Sequence, residues 1–232
     1  MSIPMTAYWN QRAQDYDELF TRAPIRRRCM DEIRSRVPPG TQRVVDLGGG
    51  TGLLASALLA DLPSVRCDLV DISPEMLDRA RARLDATGRV TFHQTSFDAL
   101  PLGDATVDAV VSTFALHHVD DLAKAAVARE IHRVLKPGGV VLLVDEIIFR
   151  SDLRRDPQAL HARMLEVFYP QEGSEFGASR FADLEEWPTD PDSLLAAFRG
   201  AALDARIDPL EDIVGLLTAR KPRSLEGALN AP

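Results

Sequence analysis

At 232 residues, 45% of them hydrophobic and 27% charged, the chain is long enough for one α/β domain with a sizeable core and some additions. A formal net charge of −8 without a sustained Lys/Arg stripe excludes the broad basic surface of a duplex binder, so a small molecule is favoured as substrate over DNA or RNA. The chain opens without an apolar signal region and has no run of about 18 apolar residues, which argues against secretion and membrane spanning. Cys29 and Cys67 lie far apart without metal spacing and read as reduced thiols of a cytoplasmic chain.

Residues 5–20 read as one amphipathic helix, with Tyr8, Trp9, Arg12 and Tyr16 on neighbouring faces. The cluster Arg26-Arg27-Arg28, with Arg34 and Arg36, reads as the solvated face of the next helix. Residues 44–52 follow as Val-Val-Asp-Leu-Gly-Gly-Gly-Thr-Gly. Val44, Val45 and Leu47 have the continuous apolar character of a buried parallel strand. Gly48, Gly49, Gly50 and Gly52 then allow a tight turn and close approach to a ligand, and the helix from Leu53 onward can aim its first amides there. Asp46, just before the glycines, is an acceptor for a positively charged ligand group.

Two cofactor classes compete for this loop. Gly50-Thr51-Gly52-Leu53-Leu54-Ala55 satisfies the dinucleotide pattern G-x-G-x-x-G/A, but it starts several residues beyond the strand end. The stretch from Asp46 to Gly52 resembles the acid-x-Gly-x-Gly-x-Gly motif of class I S-adenosylmethionine-dependent methyltransferases. Val65 to Val70 predicts a second strand ending at Asp71, about 20 residues on, where a ribose diol is gripped in either class. Ser73, Pro74 and Glu75 then read as N-cap, first helical residue and first-turn acid of a helix running toward Gly88. Val70 to Leu77 resembles the second-strand signature of that family, which implies that Ile72 and Met76 flank the adenine.

The third strand, Val90 to Thr95, leads to Ser96-Phe97-Asp98. The family has an Asp at the position of Ser96, accepting from the adenine amino group. Here the charge comes two positions late, so adenine recognition is expected from the Ser96 hydroxyl and the Phe97 backbone. Val107 to Phe114 is the fourth strand, with Thr113 at its end as a cofactor-lining candidate. A helix through Ile131 and Val134 stops at Lys136-Pro137-Gly138-Gly139, and Val140 to Val144 is the fifth strand, ending in Asp145-Glu146. Four family motifs in order over residues 44–146 identify the chain as resembling a small-molecule class I methyltransferase.

Strands alternating with helices predict a doubly wound parallel sheet. The resemblance implies a Rossmann-like sheet of seven strands, mostly parallel with the last antiparallel, completed by Asp204–Pro209 and Ile213–Ala219 after a helix at Pro191–Leu203. It also implies S-adenosylmethionine as cofactor and a small-molecule acceptor. The expected division is an N-terminal helical lid (1–40), a cofactor-binding core (41–146), an insertion (147–190), a C-terminal helix and hairpin (191–222) and a tail (223–232). In that family similar N-terminal segments cover the cofactor, which places Tyr16 toward the methionine end. In the insertion, Pro157–Phe168 reads as a helix. Its aromatics, with Phe176, Phe181 and Trp187 beyond, are expected to line an apolar acceptor pocket. Core filling and contact with a second copy in a homodimer compete with that role.

Three residues are catalytic candidates. Leu116-His117-x-Val-x-Asp resembles the stretch of phenolic O-methyltransferases whose histidine is the general base, which makes His117 the base candidate and His118 its rival. Glu146, at the fifth strand tip, is expected to orient an amine or another group. A structural or cofactor-lining role remains open for each. His93 and His132 read as structural. A quinone-type C-methyltransferase and a non-methylating or non-catalytic cofactor-binding protein are the alternatives to methyl transfer onto O, N or C of an apolar or aromatic metabolite.

Overall fold

A computed structural model of the chain describes residues 4–170 and 189–223. Three helices come first, α1 (Met5–Arg12), α2 (Tyr16–Arg22) and α3 (Pro24–Arg36). Strands and helices then alternate: β1 (Arg43–Leu47), α4 (Leu53–Asp61), β2 (Arg66–Asp71), α5 (Pro74–Leu84), β3 (Val90–Gln94), β4 (Val107–Thr113), α6 (Asp121–Val134) and β5 (Leu135–Glu146). Helices α7 (Pro157–Phe168) and α8 (Pro191–Gly200) and the hairpin β6 (Asp204–Glu211) and β7 (Val214–Arg220) complete the described α-helices and strands, and short 3-10 turns lie at Asp85–Thr87, Leu116–His118 and Leu153–Arg155.

The seven strands form one sheet in the order β3-β2-β1-β4-β5-β7-β6. Neighbours from β3 to β5 pair in parallel, and β7 enters antiparallel between β5 and β6. Chain order reverses where β1 lies between β2 and β4, a switch point at which the carboxyl ends of neighbouring strands open a crevice. Helices cover both faces. Ile33, Leu58, Leu77 and Phe168 belong to one core cluster and Val127, Ile131, Leu194 and Phe198 to the other. Burial on both faces explains why β4 and β5 read as nearly unbroken apolar runs.

The first element departs from expectation. The segment 5–20 is two helices broken at Ala13–Asp15, because its halves are anchored separately. The Ser73 hydroxyl donates to Asn10 Oδ1 at 2.7 Å, tying α1 to the head of α5. Asp17 in α2 instead accepts from the Thr51 hydroxyl and the Arg83 guanidinium. The fifth strand also starts earlier than its apolar run. Leu135 pairs with Val107, and the Gly138 amide donates to Lys221 O at 2.8 Å, so the expected turn at 136–139 is held within the sheet, with Gly138 at φ 82°. The helix from Pro74 toward Gly88 and the cap at Ser73 are as expected, with Ser73 Oγ accepting from the Met76 amide at 3.1 Å. Phe176, Phe181, Trp187, the loop at 171–174 and the tail from 225 lie outside the described residues.

Candidate active site

The crevice is built from the glycine loop upward. The amides of Gly48 and Gly49 donate to Val70 O at 2.8 and 3.1 Å, which hooks the loop onto the end of β2. Gly48, Gly50 and Gly52 have φ of 65°, 52° and 82°, values that carry a steric cost for any residue with a β-carbon. Asp71 fixes the loop from the other side. Its Oδ2 accepts from the Gly50 amide and its Oδ1 from the Ser73 amide, both at 2.9 Å. Burial holds its carboxyl above the usual range, against the downward pull of the Ser73, Gly50 and Ile72 amides.

These elements make one wall of a cleft of about 240 Å³. Gly48, Gly50, Asp71, Ile72 and Met76 line that wall, with Ser96 and Phe97 at its edge. The facing wall is Met5, Trp9 and Tyr16 from the N-terminal helices, then Ala115, His118 and Val119 beyond β4. Trp9 bridges this wall, edge-on to Tyr16 at 5.9 Å and to His118 at 5.0 Å between ring centroids. The Tyr16 hydroxyl is pushed up to about 12, by burial first, with Arg26 opposing and Asp71 adding. It is therefore a donor at neutral pH.

Of the expected cofactor residues, Asp46, Gly49, Gly52 and Thr113 do not line the cleft. Asp46 packs under Gly49, where a β-carbon would come within 3.1 Å of its Oδ2. It is 1% exposed and neither carboxylate oxygen has a hydrogen-bond partner among the described residues. Burial raises its pKa to about 7, and the charge of Asp71 adds to the rise. Ser96 does line the cleft, and its hydroxyl donates to Asp98 Oδ1 at 2.5 Å. The acid that comes two positions late in sequence is thereby joined to the edge of the cleft through Ser96.

An adenosylmethionine-type ligand fits this arrangement. The loop has left-handed glycines where a nucleoside would approach, Asp71 faces the cleft, and the orphaned Asp46 carboxylate lies beneath. The Asp46 carboxyl has a folded-state pKa above its unfolded value, so folding takes up a proton between about pH 4 and 7. Its ionisation therefore costs stability as pH rises through that window. The stability of Asp46→Asn relative to wild type is expected to increase by a few kcal/mol from pH 4.5 to pH 8, on the order given by about 1.36 kcal/mol per pKa unit. Urea unfolding at the two pH values measures the difference; a pH-independent offset between the proteins would contradict the raised pKa.

The two adjacent histidines divide sharply. His117 is 4% exposed and absent from the cleft wall. Its Nδ1 lies 2.5 Å from Asp145 Oδ1, while Asp145 Oδ2 accepts from the Leu116 amide at 2.6 Å. Burial would raise the Asp145 carboxyl, but His117 and the Glu146 and Leu116 amides together hold it below the usual range. His118 is the one on the cleft. Its ring lies 3.8 Å from that of His117, and neither of its nitrogens has a partner among the described residues. Burial, and then His117, hold its pKa well below 6.5, so the imidazole is neutral at physiological pH.

Asp145 is the residue that sequence reasoning passed over in favour of Glu146. Successive strand residues point to opposite faces, so only one of the two acids can meet the histidine turn. Glu146 is 5% exposed and does not line the cleft. His93 contacts Asp68 at 2.8 Å within an ion-pair group that includes Arg43. The arginine cluster needs a correction: Arg27 and Arg28 are exposed, but Arg26 turns inward among aromatic rings. Among the described residues no group of three or more His, Cys, Asp or Glu could hold a metal, and no helix is long and apolar enough to cross a membrane.

Residues 44–139 match a family model described as a methyltransferase domain. Over 121 residues the chain is 36% identical to the ubiquinone/menaquinone biosynthesis C-methyltransferase UbiE of Syntrophotalea carbinolica, covering 52% of this chain and 50% of that protein. It is 32% identical over 174 residues to the malonyl-[acyl-carrier protein] O-methyltransferase of Halorhodospira halophila, covering 74% and 54%. The chain thus spans about half the length of these curated relatives. Among solved structures, human N-acetylserotonin methyltransferase in complex with SAM matches with a TM-score of 0.65 and 20% identity, covering 92% of this chain and 56% of that one.

Proposed function

We infer that this chain, which belongs to the class I S-adenosylmethionine-dependent methyltransferases, transfers a methyl group to O, N or C of a small apolar or aromatic metabolite. The observation that carries the catalytic part of this reading is His118, a half-buried neutral imidazole on the cleft wall with both ring nitrogens unengaged among the described residues. When bound, the cofactor supplies a sulfonium methyl group open to in-line displacement. The chain's own residues bind, align and exclude water. Asp71 receives the ribose hydroxyls, Ile72 and Met76 flank the adenine, and Ser96 with Phe97 closes its edge. Asp46 offers a buried carboxyl beneath the loop, ionised only as pH passes about 7. Trp9 and Tyr16 act as a lid over the methionine end.

His118 takes the proton that a hydroxyl or acidic carbon acceptor must lose, while His117, held by Asp145, fixes its ring from behind. A base held well below its ordinary range matches an acceptor whose proton is already acidic, such as a phenol or quinol, better than an aliphatic alcohol. The similarity to a quinone C-methyltransferase supports a second reading within the same chemistry, transfer to the ring carbon of a quinol.

Calorimetric titration with adenosylhomocysteine and with NAD tests the cofactor assignment. Tight binding of the first and none of the second is expected; the reverse would sink the reading. Methyl transfer from labelled adenosylmethionine to a panel of phenols, a naphthoquinol and aliphatic alcohols then tests the acceptor class, with turnover expected for the first two groups only.

A further inference from the structure

Phe114 stands where the chain leaves β4 for the histidine turn, and its backbone is left-handed, with φ 52°. Such a value is an outlier for a bulky residue, because the β-carbon crowds the neighbouring backbone. Among the described residues the other non-glycine positions with positive φ are Ala105 and Ala202. Both are small and exposed in turns, whereas Phe114 is 7% exposed and adjoins the cleft residue Ala115.

The turn puts the ring on a face it would not otherwise take. Side chains alternate along a strand, so Ala109 and Val111 join the core cluster of Ile33 and Phe168 while Val110 joins that of Val127 and Ile131. Alternation assigns position 114 to the second cluster, with Val110. The Phe114 ring lies in the first, edge-on to Phe168 at 5.3 Å between centroids. The Arg26 guanidinium carbon is 5.6 Å from its centroid, within a box that Phe20, Phe168 and Tyr169 complete. The backbone is meanwhile held to the sheet, with the Phe114 amide donating to Val144 O at 2.8 Å. Two residues on, Leu116 is back in the second cluster. The turn that follows has little slack. Ala115 lies so close to Gly48 that a β-carbon there would come within 2.4 Å of its own, and the His118 amide donates to Ala115 O at 3.3 Å. The direction of the chain at 114 therefore sets where Ala115 and His118 stand.

We propose that Phe114 is a positioning residue for methyl transfer: its ring, clamped by Phe168 and Arg26, selects the left-handed turn that sets Ala115 against the glycine loop and His118 on the cleft wall. The proposal rests on the methyltransferase reading and on His118 as its base. A glycine at 114 reaches the same backbone at no steric cost, but it reaches many others too. The buried ring removes that freedom, and the packing around it holds the strain.

The test measures turnover of a phenolic acceptor at saturating cofactor, and adenosylhomocysteine affinity, in Phe114→Leu, Phe114→Ala and Phe114→Gly, each also combined with His118→Ala. Phe114→Ala removes the ring but keeps the steric cost of a left-handed β-carbon; Phe114→Gly removes both. Turnover is expected to fall on the order of ten- to hundredfold in Phe114→Ala, less in Phe114→Gly, and least in Phe114→Leu, which refills part of the ring's site. Nearly unchanged adenosylhomocysteine affinity reports an intact fold. With His118 already replaced, the loss from Phe114→Ala is expected to vanish, since residues that act through one another are not additive. An NMR titration of the imidazoles is independent of turnover. His118, held low in wild type, should titrate closer to 6.5 in Phe114→Ala.

The proposal is overturned if Phe114→Gly turns over more slowly than Phe114→Ala, as a simple cavity would give, if the losses at 114 and 118 add, or if the His118 titration does not move. Should Phe114→Ala lose adenosylhomocysteine binding, Phe114→Leu carries the same cycle and titration. Failure of wild type to bind adenosylhomocysteine or to transfer a methyl group overturns the methyltransferase reading instead, and the titration then still judges the positioning.

Discussion

Replacing His118 with alanine is expected to lower methyl transfer to a phenolic or quinol acceptor by about two to four orders of magnitude, the range typical of a general base, while adenosylhomocysteine affinity stays nearly intact. The expectation follows from location. His118 lines the cleft, and its two buried nitrogens have no hydrogen-bond partner among the described residues, whereas His117 is absent from the cleft wall and bonded to Asp145. Asp145→Asn is expected to lower turnover less than His118→Ala, because it loosens the ring behind the base without removing the base. The pH profile gives an independent check. Only neutral imidazole accepts a proton, so the rate should rise with pH through the depressed pKa of His118 and be flat above about 6.5, its ordinary value. A loss of under tenfold in His118→Ala, with the acid limb unchanged, would leave alignment of the reactants as the whole of the catalysis.

Gly48→Ala is expected to abolish measurable cofactor binding and to lower the melting temperature. Two costs coincide at this position. The backbone has φ 65°, a left-handed conformation that costs a residue with a β-carbon about 1–2 kcal/mol. The new β-carbon would also lie 2.4 Å from that of Ala115 and 3.3 Å from Phe97 Cζ. Ala115 has no flexible end to move, so its backbone must shift, and overpacking of this kind costs about 1–3 kcal/mol more. That shift would carry Leu116–His118 away from the cleft. The double variant Gly48→Ala with Ala115→Gly should recover part of the stability, since it removes the clash but keeps the strain. Thermal unfolding of the four proteins of this cycle measures the coupling; strict additivity would show that the contact with Ala115 is not the cause. At Gly50 the nearest atoms to a β-carbon, Met76 Sδ and Tyr16 Cε1, are 3.8 Å away, so a milder effect is expected there.

Much of the cofactor cleft was legible because its parts lie close together in the chain. The glycine loop, Asp71, the cap at Ser73, Ile72 and Met76 each belong to a strand end or the first turn of the following helix, and local rules fix such positions. Ser96 was legible as a departure but not its remedy. The bond from Ser96 to Asp98 depends on how the loop after β3 folds back. Met5, Ala115 and Val119 on the facing wall carried no signal, because small or apolar residues in a turn or short helix look the same whether they face a ligand or a core.

The sequence by itself determined the alternating strands and helices, the left-handed glycine turn and the acid that anchors it, since periodicity and backbone sterics act over a few residues. Tertiary packing alone decided three matters. It chose His118 over His117 for the cleft, because two identical neighbours in one short turn have the same propensities and differ only in what they pack against. It chose Asp145 over Glu146 as the partner of the histidine turn through the alternating faces of β5. It also turned Arg26 inward, because its four rings come from α2, the end of β4 and the end of α7. Contacts between segments so distant in sequence leave no periodic trace in any one of them.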